Sequence, residues 1–220
     1  MKQFKKCLII KHKIEEGPGI IEDILKEMGI LYKIIELENG EKLPEDIKNI
    51  DFIFSLGGPM NVYQEREYPF LKEEEDLIKK IYQFKKHFLG ICLGAQILAK
   101  TFGAKVNLNF CKEIGFFEVE LTENGKKDNI FTGVSETFTC FQYHSDCFEL
   151  PENGILLVKG KKCLNQGFKI GENLYGFQFH IEINKKLLFD FGVKKVYYKK
   201  LEKIKETGEI IIKNFLKKEG

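Results

Sequence analysis

The amino-acid sequence predicts an α/β domain, a parallel sheet flanked by helices, with antiparallel strands added in its second half. Three observations predict it. As far as Gly103, β-type apolar runs alternate with segments of helical spacing; two of those runs end directly in glycine turns; beyond Gly103 the apolar runs are short and separated by turn residues.

Taken in order, residues 7–10 are a short β-type run, broken by Gly17-Pro18-Gly19. Residues 20–28 then place apolar side chains at helical spacing, and Gly29 ends that helix as a left-handed cap. Residues 31–37 form a second strand, 38–48 a polar loop, and 52–56 a third strand that runs into Gly57-Gly58-Pro59. Residues 70–84 are helical, with an apolar stripe of Leu71, Leu77, Ile78, Ile81 and Phe84. A strand at 88–91 leads to a glycine-flanked turn at Cys92, and a helix at 96–102 is capped by Gly103. In the second half, 118–121, 137–141, 155–158, 167–170 and 174–179 read as strands, with Gly171-Glu172-Asn173 as a hairpin connection. Residues 185–218 are mostly helical and lysine-rich, with an interruption expected around Gly208. There is no internal repeat and no low-complexity linker, so one domain is the economical description.

A chain of 220 residues suits one full-sized core. Its 43% hydrophobic and 31% charged residues exclude a disordered chain. A formal net charge of +2, with Arg66 the only arginine, speaks against nucleic acid, for which the guanidinium fork is the better tool. No apolar run approaches the roughly 20 residues that span a bilayer. The basic start of the chain is followed by too short an apolar stretch for a signal peptide. Neither a nucleic-acid nor a membrane partner is expected, and the expected location is cytoplasmic. Six cysteines without an export signal read as reduced thiols. Cys140, His144 and Cys147 lie close in sequence, but their spacing fits no common zinc pattern, and no metal is expected.

Gly90-Ile91-Cys92-Leu93-Gly94 places a cysteine between glycines at the end of a strand and just before a helix. A tight strand-to-helix turn exposes the residue at its apex only if its neighbours two positions away lack side chains. Helix N-termini also favour thiolates. The pentapeptide alone is equally compatible with a small buried cysteine between packing glycines. Two further segments sharpen the reading. Gly57-Gly58-Pro59 sits at the end of a neighbouring strand, and the C-terminal ends of parallel strands converge on one crevice. A glycine amide there, and the amide of Leu93 after the cysteine, are the natural donors to an oxyanion. In Phe177-Gln178-Phe179-His180-Ile181-Glu182, alternation sends Phe177, Phe179 and Ile181 to the core and Gln178, His180 and Glu182 to the opposite face. A histidine and a carboxylate so placed can form one hydrogen-bonded relay.

With these residues in hand, the sequence resembles the class I (triad) glutamine amidotransferases, in particular the glutaminase portion of GMP synthases and their stand-alone relatives. The resemblance runs over residues 52–182. It is carried by Gly57-Gly58-Pro59-Met60-Asn61-Val62-Tyr63, Gly90-Ile91-Cys92-Leu93-Gly94-Ala95-Gln96, Tyr143-His144-Ser145-Asp146 and Gln178-Phe179-His180-Ile181-Glu182, supported by Glu113-Ile114-Gly115 and Leu164-Asn165-Gln166-Gly167-Phe168. It implies a single flavodoxin-like parallel sheet flanked by helices with an additional antiparallel region, an amidotransferase domain over residues 1–190 and a helical tail over 191–220. It also implies Cys92 as nucleophile, His180 as acid and base, and Glu182 as orienting carboxylate. Gly58 and Leu93 would bind the oxyanion, and Gln96, Tyr143, His144, Ser145 and Asp146 the substrate. No cofactor is implied.

Two positions depart from the family pattern. Ile181 stands where relatives often carry proline, and Leu93 where they often carry tyrosine; neither side chain is needed for the chemistry. After residue 185 there is no phosphate-binding glycine loop, so this chain alone is not expected to make GMP. The expected activity is hydrolysis of the glutamine side-chain amide to glutamate and ammonia, with the ammonia passed to a separate synthetase subunit. The alternatives are a γ-glutamyl peptide hydrolase and a catalytically idle regulatory subunit. A cysteine hydrolase or stress chaperone of the flavodoxin-like superfamily competes as well, but such proteins usually draw their carboxylate from elsewhere.

Overall fold

Lys6–Lys11 forms β1, whose side chains alternate between two cores: Ile9 faces one, Leu8 and Ile10 the other. The computed structural model describes residues 5–108 and 110–218, and the first four residues of the basic start of the chain lie outside that set. Helix α1 (Ile20–Glu27) buries Ile20, Ile21, Ile24 and Leu25 on one stripe and ends before Gly29, which adopts φ 66°. Next come β2 (Leu31–Glu36), β3 (Phe52–Ser55), α2 (Phe70–Gln83), β4 (His87–Ile91) and α3 (Leu93–Thr101). The second half contributes β5 (Val106–Asn107), β6 (Glu113–Leu121), a short α4 (Glu123–Lys127), β7 (Thr137–His144), β8 (Cys147–Phe148), β9 (Gly154–Gly160), β10 (Asn165–Ile170) and β11 (Leu174–Phe177). Helices α5 (Lys185–Asp190) and α6 (Leu201–Leu216) follow.

Nine strands form one sheet in the order β2-β1-β3-β4-β11-β10-β9-β6-β7, and β5 pairs with β8 separately. The first five are mutually parallel and the remaining pairings are antiparallel. The expected α/β architecture is therefore present, with most of the antiparallel strands continuing the main sheet. Helices α1 and α6 cover one face, where Ile211, Ile212, Phe215 and Leu216 join Ile9, Phe54, Ile91 and Phe177. Helices α2 and α3 cover the other, packing Leu71, Leu77, Ile78, Ile81, Ile97 and Leu98 on Ile10, Ile53 and Phe88. Each such side chain buried is worth about 1.5–3 kcal/mol, which is what holds the helices to the sheet.

Several boundaries differ from expectation for physical reasons. Helix α3 starts directly after Cys92, a turn earlier than its periodicity suggests, because Gly94 and Ala95 are small residues at its crowded first turn. Strand β6 begins at Glu113, not Glu118, and pairs with β7 from Glu113 to Glu120. The most instructive correction is Gly208. Helix α6 runs straight through it, and the break in the tail falls earlier, between α5 and α6. A Cβ at position 208 would lie 2.0 Å from the Ile181 carbonyl oxygen, so glycine there permits a close helix crossing.

Candidate active site

The C-terminal ends of β1, β3, β4 and β11 open on one side of the sheet, as neighbouring parallel strands must. From β4 the chain turns at Cys92 into α3, and Cys92 carries φ 52° and ψ −104°. Such a positive φ on a residue with a side chain costs on the order of 1–3 kcal/mol and persists because the surroundings impose it. They do so through glycine on both sides. A Cβ on Gly90 would sit 2.5 Å from the backbone of Gly94, and one on Gly94 would sit 2.3 Å from Ser55 Oγ. The Cys92 amide donates to the Phe177 carbonyl at 2.8 Å, tying the turn to β11. Its sulfur lies 3.7 Å from Gln178 Nε2 and 3.9 Å from the Tyr143 carbonyl oxygen. Leu93 is the first residue of α3, so its amide belongs to the helix's unpaired first turn.

Regular β11 ends at Phe177, two residues short of expectation, yet the alternation continues. Phe177, Phe179 and Ile181 enter the core, while Gln178, His180 and Glu182 turn to the Cys92 side. That second face is buried as well: His180 is 2% and Glu182 3% exposed. The His180 amide donates to the Phe141 carbonyl at 2.9 Å, and Nδ1 meets Glu182 Oε1 at 2.7 Å. Nε2 makes no hydrogen bond among the described residues and is the nitrogen left for the adjoining thiol. Burial disfavours the imidazolium, but the Glu182 carboxylate and the Cys92 thiol outweigh it and hold His180 well above the ordinary histidine range.

A cavity of about 470 Å³ lies over these groups, lined among others by Cys92, His180, Gly58, Gln96, Tyr143, His144, Ser145 and Asp146. The predicted site residues named there thus come together, and Glu182 stands behind His180. Two of them face inward more than expected. Gln96 Nε2 donates to the Asp146 carbonyl and to Gln178 Oε1, both at 3.2 Å. The His144 ring spans the Asp146 carbonyl oxygen at 3.0 Å and Glu113 Oε2 at 3.2 Å. Burial alone would lower His144; Cys147 and Glu113 beside it raise it. Both side chains shape the 143–146 wall from behind.

Sequence reading missed Glu16, which lines the same cavity. Burial and the Glu182 charge raise its carboxyl above the usual range, against the pull of His180 and His12. It also missed His12, Ser55 and Glu74, which are buried beneath Gly57. A signal existed for Glu74: it interrupts the apolar stripe of α2 between Leu71 and Leu77. All six cysteines are free thiols. Cys140 donates to the Phe117 carbonyl at 3.6 Å, apart from Cys147, which packs with Cys111 and Cys163. Among the described residues no group of three or more metal-ligating side chains is arranged to hold a metal ion, and no helix is long and apolar enough to cross a membrane.

Residues 19–195 match the family described as glutamine amidotransferase class-I. Among curated relatives, a glutamine amidotransferase-like protein of Salmonella typhimurium, YfeJ, is 28% identical over 79% of this chain and 74% of its own length. The GMP synthase of Caldicellulosiruptor saccharolyticus is 32% identical over 87% of this chain but only 32% of its own length, so the chain spans about a third of that protein. A glutamine-hydrolysing GMP synthase subunit of Pyrococcus abyssi is 35% identical over 50% of this chain and 57% of that one. A crystal structure of a glutamine amidotransferase from Thermotoga maritima superposes with a TM-score of 0.88 at 30% identity, covering 97% of this chain and 99% of that one. With the elbow cysteine, the adjoining histidine and carboxylate, and these likenesses together, the chain belongs to the class-I glutamine amidotransferase family.

Proposed function

We propose that the chain is a glutaminase that hydrolyses the side-chain amide of glutamine through a thioester on Cys92, yielding glutamate and ammonia. The observation that carries the reading is the buried His180–Glu182 pair, 2.7 Å apart, set against a cysteine held at φ 52° on its elbow. Cys92, its proton held on His180, attacks the amide carbon as the thiolate, and Glu182 fixes the ring's orientation and balances its charge. The amides of Gly58 and Leu93 receive the oxyanion. His180 then returns its proton to the departing nitrogen, ammonia leaves, and the same ring activates the water that cleaves the thioester. Gln96 and the wall of Tyr143, His144, Ser145 and Asp146 hold the glutamyl portion. No cofactor enters these steps. The likeness to a protein named as one subunit of a GMP synthase supports a separate synthetase chain as the ammonia acceptor.

A second reading, hydrolysis of a γ-glutamyl peptide, draws support from the cavity's rim, where Leu108, Ile114 and Tyr143 are exposed and leave room for a larger leaving group. The test is release of ammonia or amine from glutamine, γ-glutamyl peptides and glutathione, with and without candidate synthetases. Wild-type protein is expected to turn over at least one of these. Cys92→Ala is expected to lose at least about four orders of magnitude in kcat with its melting temperature preserved. Undiminished turnover in that variant would sink the assignment.

A further inference from the structure

Beneath the Gly57 carbonyl lies a buried polar relay that the steps above leave unused. Ser55, His12 and Glu74 are each 0% exposed. Ser55 Oγ donates to Glu74 Oε1 at 2.5 Å, and the other carboxylate oxygen meets His12 Nε2 at 2.7 Å. His12 Nδ1 in turn faces the Gly57 carbonyl oxygen at 3.2 Å. Both ring nitrogens therefore point at acceptors, and an imidazole satisfies two acceptors only as the imidazolium. Burial opposes that charge, but Glu74 and the Gly57 carbonyl outweigh it, so His12 stands above its ordinary value. Around the ring, α2 presents Glu74 and the apolar face of Phe70, and the loop after β1 adds the more distant charge of Glu16.

The consequence lies in the next peptide. All peptide bonds among the described residues are trans, so the Gly57 carbonyl and the Gly58 N–H point in opposite directions. With the carbonyl claimed from below by His12, the amide is turned to the cavity side, where Gly58 forms part of the lining. The chain on the N-terminal side is pinned: the Leu56 amide donates to the Ile10 carbonyl at 3.0 Å, and its carbonyl accepts from the Gly94 amide at 3.2 Å. The freedom that remains belongs to a glycine pair, whose peptide can rotate at little steric cost. A side chain at 58 would crowd this turn, since its Cβ would lie 2.8 Å from Leu93 Cδ2 and 3.0 Å from His12 Cβ.

We propose that His12, held by Glu74 and Ser55, is a positioning residue that locks the Gly57–Gly58 peptide with its N–H directed at the reacting carbonyl. The inference rests on the reading of Gly58 as an oxyanion donor. Without the Nδ1 proton, the Gly57 oxygen loses its buried partner, and rotation of the peptide places a carbonyl where the oxyanion must form.

The test compares wild type with His12→Ala, His12→Asn and Glu74→Gln. Losing one oxyanion donor costs about 10²–10³-fold in kcat. His12→Ala is expected to fall by about that factor with KM within about twofold. Asparagine carries an N–H near the Nδ1 position, so His12→Asn is expected to recover kcat to within about tenfold of wild type. Glu74→Gln removes the charge that keeps the ring protonated, so its kcat is expected to decline at lower pH than wild type does. Glutamate γ-semialdehyde, which adds to a thiol as a tetrahedral adduct, is expected to bind His12→Ala more weakly by the same factor as kcat, while glutamate binds unchanged. Equal losses in the alanine and asparagine variants, or an alanine variant within threefold of wild type, overturn the proposal. Crystal structures of wild type and His12→Ala decide it even if the wild type proves inactive on every γ-glutamyl amide. A Gly57 carbonyl that keeps its orientation in the alanine variant overturns the positioning role, whereas a reversed peptide supports it.

Discussion

The parallel half of the sheet and its antiparallel extension both reach the candidate site, but they supply different things. From the parallel half come Cys92, His180, Glu182 and the Gly57–Gly58 turn, each at the end of a strand buried on both faces. These groups are held rigidly because the strands beneath them cannot shift without disturbing two cores at once. The antiparallel half supplies the 143–146 wall, backed by a chain of side-chain hydrogen bonds from Gln142 through Gln166 to Glu113 and His144. Parallel strand ends thus carry the groups that react in the proposed mechanism, and the extension carries a wall. The comparison implies that changes in the first region lower kcat and changes in the second act on KM.

The largest effect tests the first region at Glu182. Glu182→Gln keeps a hydrogen-bond acceptor for His180 but removes the charge that raises it, and kcat is expected to drop about 10³- to 10⁴-fold. The linkage has a definite sign. The folded-state value of His180 is raised, so its contribution to stability is fully present below the unfolded histidine value of about 6.5 and is lost as pH rises through the folded value. The variant is therefore expected to lose more stability relative to wild type in acid than in alkali. Nuclear magnetic resonance titration of the His180 ring should show its midpoint lowered. A midpoint left in place, or kcat within tenfold of wild type, would remove Glu182 from the relay.

A smaller effect probes whether the site depends on the cover of the sheet. In Gly208→Ala the new methyl group would meet the Ile181 carbonyl, between the two relay residues, at 2.0 Å. Overpacking of this kind costs about 1–3 kcal/mol. The melting temperature is expected to fall, and kcat with it, because the methyl group presses on the Ile181 carbonyl that lies between His180 and Glu182. Equal stability in the variant would show that the crossing has slack, and the coupling between tail and site would then be absent.

How much of this was legible in the sequence follows the same division. Strands β1, β3, β4 and β11 were readable because doubly buried strands are short continuous apolar runs. The Cys92 elbow, the Gly57 turn and the 177–182 alternation were readable because each is a local pattern. In the extension, the start of β6 is hidden because Gly115, at φ 118°, breaks the run that begins at Glu113. Gly208 looked like a helix breaker because nothing local reveals that another backbone lies against it. His12 and Glu16 carry no local motif at all; Glu74 falls in the apolar stripe of α2, but a charged residue in a helix reads by default as solvent-facing, and only the fold shows it turned under the site. The proposed chemistry was therefore more legible than the scaffold that positions it.

The smallest expected effect tests the second region, at Glu113. This buried carboxylate meets both His144 Nε2 and Gln166 Nε2 through one oxygen, at 3.2 and 2.8 Å. A Glu113→Gln substitution keeps an acceptor there but removes a charge that helps to hold His144 protonated, beside the contribution of Cys147. The ring then has one proton for two acceptors, and its hold on the Asp146 carbonyl weakens. That carbonyl still accepts from Gln96, so the wall is expected to loosen without collapsing. KM for the preferred glutamyl substrate is expected to rise about three- to tenfold with kcat within about twofold, the pattern of a contact made equally in ground and transition states. Should Glu113→Gln instead lower kcat as Glu182→Gln does, the antiparallel wall would share in transition-state stabilisation, and the division between the two halves of the sheet would fail.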